Sequence, residues 1–364
     1  MAELGRTPVI DADAHVIESE RTWDYLEPAE AKYRPQIIES TTDRNTRYWL
    51  INGKIAGLRT AATSDAAFQR TSERSLRNVA ASAAARKMED IDLRLAHMSE
   101  LGIDIEVLHH SLWIEQVTNR PDIEVALCRS WNRWLADIWR EGKGRLRWTC
   151  VLPTLDLEAA KEELRFAKAN GCVGICMQPY IGDLMMLDPY YYPLYALAEE
   201  LDLPIIIHIA NGNPDFVDIV RTRYQRSAGF SAFRMPTVLS CFELLQSEVP
   251  ATFPRLRWGF VETSAQWVPW LLHEVARRSG AKFTPTENPF VEKNIYVTVQ
   301  TDDDHDYLIK KIGEDRLVIG TDYGHADTSS ELDAIGIFRR GDLLEEQKQK
   351  ILATNPARLY AITN

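Results

Sequence analysis

The chain has 364 residues, of which 45% are hydrophobic and 26% are charged, and its formal net charge is −11. This composition is ordinary for a soluble globular protein. The acidic balance, without any long run of Lys or Arg, argues against nucleic acid or an anionic membrane as a partner. The length allows two average domains or one large α/β barrel.

The cysteines and the N-terminus bear on the cellular compartment. The five cysteines are an odd number and lie mostly in apolar segments, which favours reduced, buried thiols over a disulfide framework. The first residues lack the basic-then-apolar pattern of a secretion signal, and no apolar run approaches the roughly 20 residues of a membrane helix. We therefore expect a cytoplasmic protein with no membrane partner.

The first predicted strand, 9–15, carries Asp11, Asp13 and His15 at every second position. Side chains two apart on a strand share a face, so we expect these three to point one way and the small apolar residues between them to point the other. Two carboxylates and an imidazole on one face suit a divalent cation. The competing interpretation is a strand end whose acids cap the next helix.

Residues 33–88 are predicted to be an insertion after strand one. Asn52-Gly53 between apolar flanks predicts a tight hairpin. From there to Lys87 the chain is rich in Ala, Ser, Thr and Arg with little pattern, which predicts a flap or cap over the end of the first strand. We treat it as part of a single barrel domain, 1–364.

From Met88 onward, helical segments alternate with short apolar runs. The predicted helices are 90–101, 121–141, 157–170, 191–201, 235–249, 267–278 and 307–312. Each precedes a predicted strand, at 103–108, 146–152, 172–177, 203–208, 257–262, 295–299 and 317–320. With the first strand this makes eight strands, which predicts a closed (β/α)₈ TIM barrel. A doubly wound open sheet is the alternative, but no Gly-rich dinucleotide loop follows any strand.

In such a barrel the chemistry lies where the strands end. Polar residues follow six of the eight predicted strands: Asp13 and His15, His109 and His110, Gln178 and Tyr180, His208 and Asn211, Glu262, and Asp322 with His325.

Each of these residues taken alone has a structural explanation, such as a core histidine bonded to a carbonyl or an acid that caps a turn. Taken jointly, they contain two carboxylates and two imidazoles that a single ion could bridge. This set is Asp13, His15, His208 and Asp322.

Several motifs resemble the amidohydrolase-related family typified by aminocarboxymuconate-semialdehyde decarboxylase. They are Asp-x-His on strand one, His on strand five, GTDYGH at 320–325, FPRLRWGFVETSAQWVPWLL at 253–272 and ILATNPARLY at 351–360. The resemblance covers nearly the whole chain apart from the insertion. It implies a metal-dependent barrel whose relatives decarboxylate or hydrolyse aromatic and cyclic acids without redox chemistry.

The resemblance also implies a role for individual residues. Asp13 stands where relatives have a His or a Glu as first metal ligand, His15 matches the second ligand and His208 the strand-five ligand. Asp322 matches the strand-eight carboxylate that binds metal or moves a proton. Zinc suits the imidazoles, and manganese is the alternative because of the two carboxylates. Glu262 is the departure, because many relatives have a His there.

We predict a hydrolase that cleaves a C–N, C–O or C–C bond of a small cyclic or aromatic substrate through a metal-activated water. Glu262, Asp322 and His325 are the predicted catalytic residues. An anion at Glu262 would repel a substrate carboxylate unless Glu262 were protonated or paired with an arginine. A metal-dependent non-oxidative decarboxylase of an aromatic acid is therefore the first alternative, and a non-catalytic small-ligand-binding barrel is the second.

Aromatic and polar residues near the strand ends are candidate walls for a ring-shaped substrate. The predicted substrate-binding residues are Trp113, Tyr180, Asn211, Trp267 and His110. Arginines that could offset the charge of Glu262 follow strand five, at Arg221, Arg223, Arg226 and Arg234.

The apolar stripe of the helix at 126–139 is either core or a subunit interface. By the family resemblance, we expect a homodimer or a higher homo-oligomer.

Overall fold

Strands and helices alternate along the chain, as the sequence predicts. The computed structural model describes residues 7–41, 47–56, 68–69, 73, 77–220, 229–279 and 288–363. Its strands are β1 Ile10–His15, β2 Gln36–Glu39, β3 Arg47–Ile51, β4 Lys54–Ala56, β5 Ile105–His109, β6 Leu146–Cys150, β7 Cys172–Met177, β8 Tyr180–Ile181, β9 Leu184–Met185, β10 Ile205–His208, β11 Trp258–Val261, β12 Ile295–Val299 and β13 Leu317–Ile319.

The α-helices are named in chain order. They are α1 Ala83–Arg86, α2 Ile91–Glu100, α3 Pro121–Glu141, α4 Leu157–Ala169, α5 Tyr192–Glu200, α6 Pro214–Val220, α7 Met235–Gln246, α8 Val249–Thr252, α9 Val268–Ser279, α10 Pro289–Glu292, α11 His305–Ile312, α12 Ala334–Arg340, α13 Glu345–Gln349 and α14 Asn355–Leu359. Short 3₁₀ turns lie at Glu20–Trp23, Pro28–Tyr33, Leu112–Ile114 and Pro189–Tyr191, and π-helical turns at Phe230–Arg234 and Lys350–Thr354.

Within the described residues, eight strands form one sheet in the order β1, β5, β6, β7, β10, β11, β12, β13, and neighbouring strands in it pair in parallel. The two ends of the sheet meet just beyond β13. There His15 N donates to Tyr323 O at 2.8 Å, and Asp322 N donates to Asp13 O at 2.8 Å. These bonds bring β1 beside the end of β13, so the predicted TIM barrel is confirmed.

Side chains fill the lower half of the barrel. Ile10, Ala12 and Val107 pack inside it with residues of the other strands, and Leu359 and Tyr360 cover this end. The strands are apolar on both faces because helices cover the outer face, as is usual for parallel sheets. Because apolar side chains fill the barrel at the amino ends of the strands, the half at the carboxyl ends is left for polar side chains.

A β-bulge in β1 corrects one prediction. Asp11 is paired with Glu106 and Ala14 with Leu108, so β1 advances three residues while β5 advances two. The extra residue breaks the alternation of side chains. Asp11 consequently lies on the side of Glu106, which bonds Arg94 of α2 in the layer between sheet and helices. The prediction that Asp11 shares a face with Asp13 and His15 was wrong.

Helix starts follow ordinary capping chemistry. The Asp90 carboxylate accepts the N–H of Leu93 at the start of α2, and Asp156 accepts two backbone N–H groups at the start of α4. Pro121 occupies the first turn of α3, where its missing N–H costs no hydrogen bond. These caps fix where each helix begins relative to the strand before it.

The predicted hairpin is present, as β3 and β4 joined at Asn52-Gly53, with both turn residues at positive φ. The strand β2 pairs with β3 on the other side, which the sequence analysis did not predict. About half of the flap predicted up to Lys87 lies outside the described residues. That the insertion caps the barrel stays a prediction.

The apolar stripe of α3 lies in the core. Trp131, Leu135 and Ala136 are fully buried, and Trp134 and Ile138 almost so. All five cysteines are buried and free of disulfides. No helix among the described residues combines the length and the apolar character that a bilayer crossing requires.

Candidate metal centre

Six polar side chains meet at the carboxyl ends of the barrel strands. Asp13 and His15 come from β1, His208 ends β10, Glu262 directly follows β11, and Asp322 and His325 follow β13. Two overlapping groups have ligand atoms that all lie within 4.8 Å of one another: His15, Glu262, Asp322 and His325, and Asp13, His15 and His208. All members of both groups are among the site residues predicted from the sequence.

The two buried imidazoles present lone pairs to each other. Nδ1 of His15 donates to the carbonyl of His110 at 2.8 Å, and Nδ1 of His208 faces the carbonyl of Ile209 at 3.3 Å. The proton of each ring is therefore held on Nδ1, which leaves both Nε2 atoms as acceptors. These Nε2 atoms are only 3.0 Å apart. Two lone pairs at this distance need a cation or a proton between them.

Carboxylates surround the two rings. Asp13 Oδ1 lies 3.5 Å from Nε2 of both histidines, Asp322 Oδ1 lies 3.3 Å from His15 Nε2, and Glu262 Oε2 lies 3.0 Å from His208 Nε2. Asp13 Oδ1 and Glu262 Oε1 are buried and accept no hydrogen bond from the described residues. Buried anionic oxygens without donors are costly. The donor set of imidazole nitrogens and carboxylate oxygens therefore fits a divalent metal ion.

The pKa shifts of His208 and Asp13 also favour a positive charge at this site. Burial alone lowers the pKa of His208, but the charges of Glu262 and Asp13 raise it well above its usual value. Burial raises the pKa of Asp13, yet the neighbouring imidazoles of His15 and His208 hold it well below its ordinary range. The cluster thus draws a positive charge to the point between these groups, where a dication would serve best.

The local backbone conformation orients the side chains of Glu262 and Asp322. Glu262 and Asp322 both have positive φ, at 61° and 51°, which is unusual for residues other than glycine. Such strained residues concentrate at functional sites. At Gly320, an added Cβ would lie 2.2 Å from Cβ of Asp13. Only glycine at position 320 therefore allows the backbone after β13 to pass this close to Asp13.

His325 has protein partners on both nitrogens. Nδ1 lies 2.8 Å from Asp322 Oδ1, and Nε2 lies 2.8 Å from Oγ of Ser111, which itself donates to the carbonyl of Val16. Burial lowers the pKa of His325, but the Asp322 charge and hydrogen bond together with the Glu262 charge raise it to about 9. His325 therefore carries a proton at neutral pH in this arrangement.

Several supporting residues escaped the sequence analysis. Ser330 donates its hydroxyl to Asp322 Oδ2 at 2.7 Å, and Thr298 accepts the N–H of Glu262 at 2.9 Å. Ser111 directly follows His109-His110, and this position at a strand end is the only signal that could have drawn attention to it. His109 lies inside the barrel, with Nε2 4.0 Å from Asp13 Oδ1.

The predicted substrate-binding residues are divided between neighbouring surfaces. His110 and Trp113 line a cavity of about 40 Å³ beside the centre, and His110 Nε2 lies 3.0 Å from the sulfur of Cys176. Asn211 lines a larger pocket of about 360 Å³ under the hairpin, but its amide also bonds Ala232 O and Asn213 N.

The remaining two lie at the rim. The Tyr180 ring is nearly parallel to that of Phe216, with centroids 6.4 Å apart. Trp267 donates its indole N–H to Ser264 O and packs against the core. Contact of any of these five residues with substrate stays a prediction.

Of the four arginines proposed to offset Glu262, three lie outside the described residues: Arg221, Arg223 and Arg226. Arg234 is described. Its Nη2 donates to the carbonyl of Glu262 at 3.2 Å and to Oγ of Ser329 at 2.7 Å. The guanidinium therefore contacts the backbone of Glu262 and not its carboxylate.

The fold and the site together define a metal-dependent enzyme built on a (β/α)₈ barrel. The sequence profile of the family described as Amidohydrolase matches residues 10–362. The chain belongs to this family. The resemblance seen in the sequence is thereby confirmed.

Individual relatives add detail. Gamma-resorcylate decarboxylase of Rhodococcus jostii (strain RHA1) is 25% identical in an alignment of 305 positions that covers 76% of this chain and 89% of the relative. The structure is similar to an amidohydrolase from Mycobacterium avium subsp. paratuberculosis K-10, with a TM-score of 0.77 at 16% identity, covering 98% of this chain and 99% of the other.

A second similar structure is a dihydroxybenzoic acid decarboxylase from Polaromonas sp. JS666 with bound manganese and the inhibitor 2-nitroresorcinol. Its TM-score is 0.60 at 23% identity, covering 74% of this chain and 85% of that one. The relative from Rhodococcus jostii is a decarboxylase, which is the first alternative and not the predicted hydrolase. The two similar structures show the fold.

Proposed function

We propose that the protein is a metal-dependent, non-oxidative decarboxylase of an aromatic acid. The observation that carries the proposal is the position of His325, whose Nδ1 lies 2.8 Å from Asp322 Oδ1 beside the other predicted ligands. Decarboxylation replaces CO₂ on the ring by a proton, so the site must supply a proton to carbon. The similarity to gamma-resorcylate decarboxylase supports the same reaction class.

In this proposal Asp13, His15, His208 and Asp322 would hold the metal. The ion, when bound, would act as a Lewis acid on an oxygen of the substrate. Manganese is proposed alongside zinc because two of the four ligands are carboxylates. The chain's own residues then have to position the aromatic acid, offset the charge of its carboxylate and deliver one proton to the ring carbon.

The charge of Glu262 no longer opposes a carboxylate substrate. Burial raises the pKa of Glu262, which favours its protonated form. A protonated carboxyl group does not repel an incoming anion as a bare carboxylate would. This removes the argument that favoured hydrolysis over decarboxylation.

His325 and Asp322 hold the proton. His325 bonds Asp322 through Nδ1 and Ser111 through Nε2, so its ring is fixed in orientation and charged. The bond from the ring carbon to the carboxylate breaks, its electron pair stays on the carbon, and this carbon takes the proton from the His325–Asp322 pair. CO₂ leaves, and solvent returns the proton to the pair.

Incubation of the manganese-loaded protein with 2,6-dihydroxybenzoate and other hydroxybenzoates tests the proposal. We expect CO₂ release with one equivalent of the descarboxy arene. In D₂O, one deuterium should appear at the carbon that lost the carboxylate. Cleavage of lactones or amides in a parallel panel, with no CO₂ from any acid, would contradict the proposal and restore the hydrolase prediction.

A further inference from the structure

Arg234 is a cation at the candidate metal centre without an acidic partner. Its Nη2 is held by two uncharged acceptors, the carbonyl of Glu262 and the hydroxyl of Ser329. Throughout the described part of the chain, no carboxylate lies within ion-pair distance of this guanidinium, and its Nε and Nη1 atoms have no acceptor. The guanidinium of an arginine stays charged and presents its N–H donors in a planar array that matches a carboxylate.

The backbone around Arg234 is firmly placed. The residue ends the π-helical turn Phe230–Arg234, and turns of this kind are frequent at functional sites. Asn211 donates its amide to Ala232 O at 3.0 Å, and Thr237 donates its hydroxyl to Phe233 O at 2.9 Å. The turn is thereby joined to the loop that follows His208.

The two bonds of Nη2 fix the orientation of the guanidinium. Ser329 is the neighbour of Ser330, which bonds the metal-ligand candidate Asp322, and Glu262 bonds His208. The guanidinium thus lies between the chain segments that carry two of the site's acids. A guanidinium that is held in one orientation and has unused N–H donors is suited to bind the two oxygens of a carboxylate.

We propose that Arg234 binds the carboxylate of the aromatic acid at the metal centre and so selects anionic ligands over neutral ones. This inference rests on the proposed function, because it takes an aromatic acid as the ligand. Asp13, Glu262 and Asp322 already place three acidic groups at the site. A fourth carboxylate needs a cation from the protein in addition to the metal, and Arg234 supplies it.

Binding measured by calorimetry separates recognition from folding. The manganese-loaded protein is titrated with 2,6-dihydroxybenzoate and with the neutral, similarly shaped 2,6-dihydroxybenzamide. We expect Arg234→Met to weaken binding of the acid about 10- to 100-fold, which is typical for loss of a charge-assisted hydrogen bond. Binding of the amide should change less than about threefold.

Two further variants complete the experiment. Arg234→Lys should restore part of the affinity for the acid, because lysine keeps the positive charge but lacks the planar set of N–H donors. Arg255→Met is the matched control, since Arg255 is an exposed arginine paired with Glu199 away from the site. It should leave both affinities unchanged.

The outcomes separate this inference from the proposed function. Equal weakening of acid and amide in Arg234→Met would mean that Arg234 only holds the loop, and absence of binding by every aromatic acid to the wild type would equally overturn the inference. Loss of acid selectivity in a protein that releases no CO₂ would sustain the role of Arg234 and refute the decarboxylase.

Discussion

Asp11 and Asp13 lie two residues apart on one strand, yet they serve different layers of the protein. Asp11 faces the helices, and its oxygens accept the N–H and hydroxyl of Thr321 and the N–H of Asp13. Asp13 faces the barrel interior, where its Oδ1 has no hydrogen-bond donor among the described residues and lies 3.5 Å from two imidazole nitrogens. The β-bulge between Asp11 and Ala14 accounts for this reversal.

The comparison separates two kinds of buried acid. An acid whose oxygens all receive protein hydrogen bonds stabilises the fold, whereas one that faces lone pairs and other acids needs a cation. Around Asp11, Arg94 pairs with Glu106, and burial together with the Glu106 charge raises the pKa of Asp11 to about 8, so that Asp11 is neutral at pH 7. Around Asp13, negative charge accumulates.

The largest expected effect comes from replacing each aspartate by asparagine. Asp13→Asn should lose the metal and reduce kcat/KM on the order of 10³-fold or more, since even residues that only bond a ligand cost 10- to 100-fold. Asp11→Asn is the matched control on the same strand and should retain about one metal ion per chain. Elemental analysis of the purified variants measures the difference. Equal metal loss in both variants would abolish the distinction between the two layers.

His325 is the informative exception, because it has protein partners on both nitrogens and yet lies at the centre. If it delivers the proton, His325→Gln should reduce kcat about 10²- to 10⁴-fold while the metal content stays the same. Single-turnover rates and metal analysis check this. Loss of metal with an unchanged rate per bound ion would instead make His325 a structural partner of Asp322.

The Arg94–Glu106 pair tests the helix-facing layer. Both side chains are fully buried, with Arg94 Nε 2.7 Å from Glu106 Oε2. Arg94→Met should cost about 3–5 kcal/mol of unfolding free energy, because it leaves a buried carboxylate unpaired. Adding Glu106→Gln should recover part of this loss in urea denaturation. A double variant less stable than the single one would show that Arg94 acts mainly through the carbonyl of His15, which it also bonds.

The sequence was sufficient for the barrel and for the grouping of the candidate ligands at one rim. The strands are short apolar runs between helices with clear caps, and parallel strands bring their carboxyl ends to one rim regardless of loop detail. This is why Asp13, His208 and Asp322 could be placed together although they are up to 309 positions apart in the sequence. The prediction depended on topology and not on side-chain packing.

The sequence was not sufficient where position depends on a neighbouring strand or loop. The alternation of 9–15 predicts a regular strand, but the bulge is set by pairing with β5, which lies about 90 residues away. Ser111 and Ser330 act through loops whose conformation no local pattern encodes. Arg234 was named among four arginines, and only the fold shows which way its side chain turns.

The smallest expected effect concerns Glu124 of α3, a buried acid outside both layers. It accepts the N–H of Leu155 at 2.8 Å, and burial raises its pKa from 4.5 to about 7. Between these pH values the folded state keeps a proton that the unfolded state releases, so this residue's contribution to stability falls as pH rises and is lost above about pH 7.

Glu124→Gln has no such titration. Its stability relative to the wild type should therefore rise from pH 4.5 to 7 by about 1–3 kcal/mol and then level off. Denaturation of both proteins across this range measures the difference. A difference that does not vary with pH would mean that packing, and not protonation, distinguishes the two side chains. The contrast between a buried acid that receives hydrogen bonds and one that does not would then be limited to Asp11 and Asp13 on the barrel strand.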